Sequence, residues 1–419
     1  MSQQDSPTVA SPRYRILLLL MLLLVYIFNF VDRQILGILA IPIKLDLGLS
    51  DTQLGLLGGL AFALLYSTAA IPLAWLADRT SRTWVITASL AAWSGFTALC
   101  GMAAGFWHLF LCRLGVGIGE AGGVAPSFAL ISDYFPESSR ARALAVYSLG
   151  IPLGSGLGIL LSGWLAATLD WRFAFIAVGL AGLLLAPVFR LIVRDAPRSA
   201  QAPPVIPLKT VFAILAGKRS FWLLAFAATS SSIVGYGLAF WMPSVMQRSF
   251  GLDLLQTSQF FGVMVLTGGV AGVLLGGVLG DRFGVRDKGA NALLPALAFL
   301  ISAPLFAAGM LAPTATWAFF LFLPPQVLAY VWLAPVISSV QHLVPSHMRA
   351  TATASFLFIN NLLGPTLGTF LLGTISDALT PIYGTEALKM AMLASLAFQL
   401  LAAALMALAA KPLRAEWVD

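Results

Sequence analysis

The sequence predicts an all-α integral membrane protein with twelve transmembrane helices in two pseudo-symmetric six-helix bundles and both termini cytoplasmic. Three observations predict it. The chain of 419 residues is 59% hydrophobic and only 10% charged, whereas soluble domains carry about 25% charged residues. Its apolar residues gather into twelve runs of about 20 or more, the length that crosses a bilayer as one helix. The two halves repeat each other's loop motifs at an offset of 203 to 209 residues, the mark of a duplicated helical unit. A net charge of +7 would point to nucleic acid in a soluble chain. Here the basic residues fall in loops between apolar runs, so topology accounts for them and no nucleic-acid partner is expected.

A polar tail, residues 1–15, comes first and ends with Arg13 and Arg15. The apolar run behind it is too long for a signal peptide and has no small-residue cleavage site, so the first helix is expected to be retained. The N-terminal bundle, 16–192, holds runs at Ile16–Ile41, Thr52–Ala77, Trp84–Ala104, Trp107–Ile131, Ala141–Leu165 and Phe173–Ile192. The segment 193–219 follows, with four prolines and six charged residues, and reads as a cytoplasmic linker. The C-terminal bundle, 220–410, holds runs at Ser220–Met246, Ser258–Leu279, Ala290–Leu311, Thr316–His342, Arg349–Ile375 and Glu386–Ala410. Residues 411–419 form a second cytoplasmic tail. Cys100 and Cys112, the only cysteines, read as free core residues.

Basic residues set the orientation. With this threading one side collects 18 of the 24 Lys and Arg residues and the other side only Lys44, Arg172, Arg248 and Lys389. The rich side is cytoplasmic by the positive-inside rule. Arg33 and Arg113 remain inside the membrane, and they are the informative pair.

Arg33 lies in Phe28-Asn29-Phe30-Val31-Asp32-Arg33-Gln34, within the first apolar run. A charge at that depth costs about 3 kcal/mol on insertion scales. Such a cost points to a wet cavity where Asp32 and Arg33 act, against the plainer alternative of an ion pair that fixes helix packing. Arg113 and Glu120, seven residues apart in the fourth run, share a helix face about 10 Å apart along the axis. Counting rise from the outer surface puts Arg113 about 9 Å deep, Glu120 about 20 Å, and Asp32 with Arg33 about 12–14 Å. The four charges therefore sit at overlapping depths.

The C-terminal half offers no such charge within its spans. It has Ser230, Ser231, Ser232, Tyr236, Gln326, Asn360 and Asn361, with Trp241 and Trp332 near them. Coupling chemistry is assigned to the N-terminal half, and an apolar, aromatic wall suited to a greasy cargo to the C-terminal half. Gly117-x-Gly119-x-x-Gly122 satisfies the dinucleotide pattern but lies in an apolar helix with no strand before it, so it carries no nucleotide site. Gly115, Gly119 and Gly123, and Gly268, Gly272, Gly276 and Gly280, are spaced as helix-packing seams. Gly150, Gly154 and Gly158, like Gly364 and Gly368, read as flexible or bent helices. His108, His342 and His347 read as surface residues. No Ser-His-Asp, paired-carboxylate or metal-ligand spacing is present, so neither an enzyme nor a metal or other cofactor is expected.

The loops carry a family resemblance. Ala74-Trp75-Leu76-Ala77-Asp78-Arg79-Thr80-Ser81-Arg82 is repeated as Gly277-Val278-Leu279-Gly280-Asp281-Arg282-Phe283-Gly284-Val285-Arg286. Pro136-Glu-Ser-Ser-Arg140 returns as Pro345-Ser-His-Met-Arg349, and Gly48-Leu49 as Gly251-Leu252. Here the chain resembles the major facilitator superfamily over nearly its whole length. The second copy meets the superfamily's loop signature well. The first has Ala74 and Ser81 where glycines are usual, yet keeps Asp78, Arg79 and Arg82. Leu109-x-x-x-Arg113-x-x-x-Gly117-x-Gly119 is similar to the fourth-helix motif, whose arginine is tied to proton coupling. Asn29-Phe30-Val31-Asp32-Arg33-Gln34, Leu47-Gly48-Leu49-Ser50-Asp51-Thr52-Gln53 and Gly117-Ile118-Gly119-Glu120-Ala121 resemble the spinster branch, whose animal members export lysophospholipids or sphingosine phosphate. The compactness of the chain is that of a bacterial-type member.

The resemblance and the charges together imply a proton-coupled secondary transporter of an amphipathic or anionic small molecule, working by alternating access in the inner membrane. Its partners would be that substrate, protons and membrane lipids, and it would act as a monomer. Asp32 and Glu120 would carry protons. Arg33, Arg113, Asn29, Tyr236 and Asn360 would contact substrate. Asp78, Arg79 and Arg82, with Asp281, Arg282 and Arg286, would latch the cytoplasmic side. Three rivals stay open: a symporter of a small organic anion gripped by the arginines, a passive scramblase or channel, and a receptor that binds without moving its ligand. The buried acids argue against the last two, because passive conduction needs no titratable group at that depth.

Overall fold

The structure, a computed structural model, describes residues 11–195, 208–284, 287–345 and 348–418. Among these every regular element is helical, and eleven stretches are long and apolar enough to cross a membrane. The last stretch, Thr351–Glu416, is 66 residues long and contains two helices joined through a short 3-10 turn at Gly384–Glu386.

The apolar runs are helical, but several are interrupted. The first is α1 (Pro12–Ile38) followed by α2 (Ala40–Leu47), and the second is α3 (Asp51–Gly58) followed by α4 (Leu60–Arg79). Next come α5 (Arg82–Cys100), α6 (Phe106–Ala121), α7 (Val124–Tyr134), α8 (Glu137–Ser148), α9 (Gly150–Thr168) and α10 (Trp171–Ile192). A short helix, α11 (Leu208–Ala216), lies within the segment read as linker. The chain ends with α12 (Arg219–Arg248), α13 (Leu254–Gly284), α14 (Ala290–Met310), α15 (Ala315–Leu328), α16 (Leu333–Gln341), α17 (Arg349–Tyr383) and α18 (Ala387–Glu416).

The duplication is visible at two matching turns. Gly48 and Gly251, 203 residues apart, both have positive φ, 62° and 68°, a conformation that favours glycine. Each turn leads into a capping box. Ser50 accepts from the Gln53 backbone N–H at 3.1 Å while Gln53 accepts from the Ser50 N–H at 3.0 Å. Asp253 and Gln256 exchange the same two bonds at 2.7 and 3.1 Å.

The chain divides into two compact units, one of Met1–Ile35 with Leu64–Pro204 and one of Leu36–Ala63 with Val205–Asp419. In the first unit, α9 lies directly on α1. A Cβ on Gly154 would stand 2.5 Å from the Ile27 carbonyl oxygen, and one on Gly158 would stand 2.7 Å from the Val31 Cα. These glycines, read from sequence as points of flexibility, are a close-packing seam. Gly119 does the same on α6, where a Cβ would stand 2.5 Å from the Trp93 backbone nitrogen. At one end of this unit the Arg194 N–H donates to the Tyr14 hydroxyl at 2.8 Å and the Tyr134 hydroxyl donates to the Arg194 carbonyl at 3.0 Å. Asp195 accepts there from the Thr83 N–H at 2.9 Å and from the Ser81 hydroxyl.

In the second unit a core forms around Phe221, Phe299, Phe356 and Met406, and Val211 and Leu215 of α11 are buried in it. The segment read as a bare linker therefore supplies apolar residues to the core. At the start of α12, Glu416 accepts from the Arg219 and Ser220 backbone N–H groups, both at 3.1 Å. Trp417 stacks on the His342 ring at 4.4 Å between centroids, so His342 is tied into this end of the unit. At the far end of α12, Asp51 is almost fully buried. It accepts two bonds from Arg248 at 2.6 and 2.7 Å, one from Lys44 at 2.5 Å and one from Ser376 at 2.7 Å. Asp377 in turn accepts from the Asp51 and Thr52 backbone N–H groups at 3.1 and 2.7 Å, closing two of the open donors at the start of α3.

Candidate functional site

The first unit brings the four charges read from the sequence to one place. Asp32 and Arg33 are neighbours on α1, so their side chains leave the helix about 100° apart. Each meets a different residue of α6. Arg113 Nη1 donates to Asp32 Oδ1 at 3.3 Å, and Arg33 Nε donates to Glu120 Oε2 at 2.8 Å. The pairs are thus crossed between the two helices, and neither is made within one helix.

Burial is nearly complete. Asp32, Arg113 and Glu120 are 1%, 2% and 0% exposed, and the Arg33 side chain keeps 18%. The Arg33 guanidinium also sits over the Phe30 ring at 4.9 Å and the Tyr66 ring at 4.7 Å, contacts that favour a cation. On the other side of Asp32, the Thr97 hydroxyl of α5 donates to Oδ2. Glu120 Oε1 is buried and has no hydrogen-bond donor among the described residues. The cluster holds two positive and two negative charges when both acids are ionised, so protonating either acid leaves one uncompensated positive charge. Removing one side chain of a buried pair costs about 3–5 kcal/mol for the same reason.

Asn29, one turn before this cluster on α1, is 2% exposed and its Oδ1 has no donor among the described residues. Tyr236 and Asn360 belong to the second unit. Tyr236 is 42% exposed on α12, and Asn360 on α17 is buried, accepting from the Ser232 hydroxyl at 2.8 Å. Among the latch candidates, Arg82 lies 3.5 Å from Asp78 and also pairs with Asp133. The Arg79 guanidinium sits over the Trp75 ring at 3.9 Å. The side chains of Asp281 and Arg282, and the whole of Arg286, lie outside the described residues.

Sequence reasoning missed Thr97, Tyr66 and the Asp51 cluster. A lone threonine or tyrosine in an apolar run gives no signal. Asp51 had one: it follows Ser50 in a Ser-x-x-Gln capping box, which places it in the first turn of a helix where carboxylates are favoured.

Comparison with known proteins matches the chain to one family. The model of the Major Facilitator Superfamily matches residues 22–369. An "MFS-type efflux pump" of Mycolicibacterium smegmatis is 35% identical over 385 residues, covering 89% of this chain and 87% of that protein. "Protein spinster" of Drosophila melanogaster is 28% identical over 370 residues, which are 85% of this chain and 61% of that longer protein. Among solved structures, a bacterial homologue of the human lysosomal transporter spinster, inward-facing and unoccupied, superposes with a TM-score of 0.87 at 30% identity. The match covers 98% of this chain and all of that one.

Proposed function

Because the chain belongs to the spinster branch of the major facilitator superfamily, we propose that it is a proton-coupled secondary transporter moving an amphipathic, lipid-like molecule by alternating access. The observation that carries this reading is the crossed pairing of Asp32 with Arg113 and Glu120 with Arg33 in a site that is buried where sequence reasoning expected a wet cavity. Protonation of Asp32 or Glu120 frees an arginine, and the freed charge binds a phosphate or carboxylate head group. Binding and protonation then favour each other, so that lipid and proton move in the same direction.

In this reading Asn29, Arg33 and Arg113 contact the head group. Tyr236 and Asn360 line the path of the tail. Asp78, Arg79 and Arg82, with Asp281, Arg282 and Arg286, act as the cytoplasmic latch. The chain has twelve spans and cytoplasmic termini, and works as a monomer in the inner membrane.

The test is accumulation in proteoliposomes under an imposed pH gradient, with a lysophospholipid, sphingosine phosphate and a short organic anion as cargo. The long-chain amphipaths are expected to accumulate and to compete with one another. Accumulation of the short anion alone would replace this reading with that of an anion symporter.

A further inference from the structure

Thr97 makes an arrangement that the coupling scheme above does not use. Its Oγ1 lies within hydrogen-bond reach of two acceptors, Asp32 Oδ2 and the Trp93 carbonyl oxygen, the latter at 2.9 Å. A threonine hydroxyl has one proton and two lone pairs, so it donates to one of these oxygens at a time. The charge on Asp32 decides which. While Asp32 is ionised the charge-assisted bond to Oδ2 is about twice as strong as a neutral one, and the hydroxyl turns there.

Protonation reverses the arrangement. Oδ1 of Asp32 already accepts from Arg113 Nη1, and a guanidinium has no lone pair to receive an O–H. The proton therefore sits on Oδ2, facing Thr97. The acid then donates to Oγ1, and the threonine proton turns to the Trp93 carbonyl, the back-bond that hydroxyls make in helices. Both states leave Asp32 Oδ2 and the Thr97 hydroxyl satisfied, where Asp32 is too buried for bulk water to substitute.

We propose that Thr97 is the positioning residue for the coupling proton: its hydroxyl directs the proton to Oδ2 of Asp32 and reverses its own hydrogen bond each time Asp32 is protonated. This rests on Asp32 as proton carrier. The other charged or titratable groups acting on the cluster are Arg113 and Glu120 of α6, Arg33 of α1 and Cys100 of α5. The arginines cannot accept a proton, Glu120 is held by Arg33, and a thiol is a weak acceptor. Thr97 is the acceptor that remains.

The test is acid-minus-neutral difference infrared spectroscopy on the full chain in lipid, paired with gradient-driven accumulation of a fluorescent lysophospholipid in proteoliposomes. In wild type carboxylic C=O bands appear on acidification, and Asp32→Asn erases the component that Glu120→Gln leaves in place. Thr97→Val keeps that component but moves it to higher frequency, because the acid has lost its acceptor. The same variant loses about tenfold in accumulation, one hydrogen bond's worth, and Thr97→Ser restores both readouts. Should Thr97→Val fail to fold, Thr97→Ala is read the same way. A band at wild-type frequency and wild-type accumulation in the folded variant would overturn the role of Thr97. If Asp32→Asn removes no component of the band, Asp32 is not the proton carrier and this proposal falls with that assignment, so the two failures are distinguishable.

Discussion

Two acidic residues, Asp32 and Asp51, are each 1% exposed, and their surroundings give them different work. Asp32 has one distant arginine contact, at 3.3 Å, and one hydroxyl. Asp51 has a bidentate arginine, a lysine and a serine, all at 2.5 to 2.7 Å. A carboxylate held by that many charge-assisted bonds stays ionised and acts as a fastener. Replacing Asp51 with Asn should therefore destabilise the protein by about 3 kcal/mol. That is the lower end of the range for a broken buried pair, because Arg248 keeps 17% side-chain exposure. Denaturant unfolding of the purified variant measures this. A loss of under about 1 kcal/mol, the worth of a surface pair, would show that the cluster carries no weight.

At the scale of elements, the α1–α9 seam decides how α1 is held behind the charge cluster. Gly158→Ala puts a methyl 2.7 Å from the Val31 Cα, and backbone cannot yield as a side-chain tip does, so a loss of about 1–3 kcal/mol is expected. A variant as stable as wild type in thermal unfolding would mean that α9 is free to move off α1. Much of this level was legible in the sequence. A membrane span must be a long apolar run, and every predicted run is mainly helical in its described residues, several with short breaks. The interruptions at Leu39, Gly59 and Gly122–Gly123 were not legible, because a broken helix and a continuous one have the same hydropathy. The axial depth of Asp32, Arg33, Arg113 and Glu120 followed from helical rise alone. Their crossed partnership did not, since it depends on how α1 and α6 are rotated about their own axes. The seam glycines show a similar limit: small residues at a four-residue spacing fit either close packing or bending, and only the facing backbone separates the two.

At the scale of the whole molecule, a membrane protein of the superfamily fold carries a charge-balanced site inside one unit, and in the proposed function protons unbalance it to drive transport. Composition, span number and duplication point to the fold, and they would look the same in a passive conductor. The buried acids are the feature that argues against one. Asp32→Asn and Glu120→Gln each mimic a protonated acid, leave Arg33 and Arg113 in place, and so keep the site able to bind an anionic head group. The most direct test is lysophospholipid accumulation in proteoliposomes with and without an imposed pH gradient, with binding of the same lipid measured alongside. Both variants are expected to bind the lipid, and neither to accumulate it against its gradient. Gradient-dependent accumulation at the wild-type rate in both variants would contradict the proposed coupling.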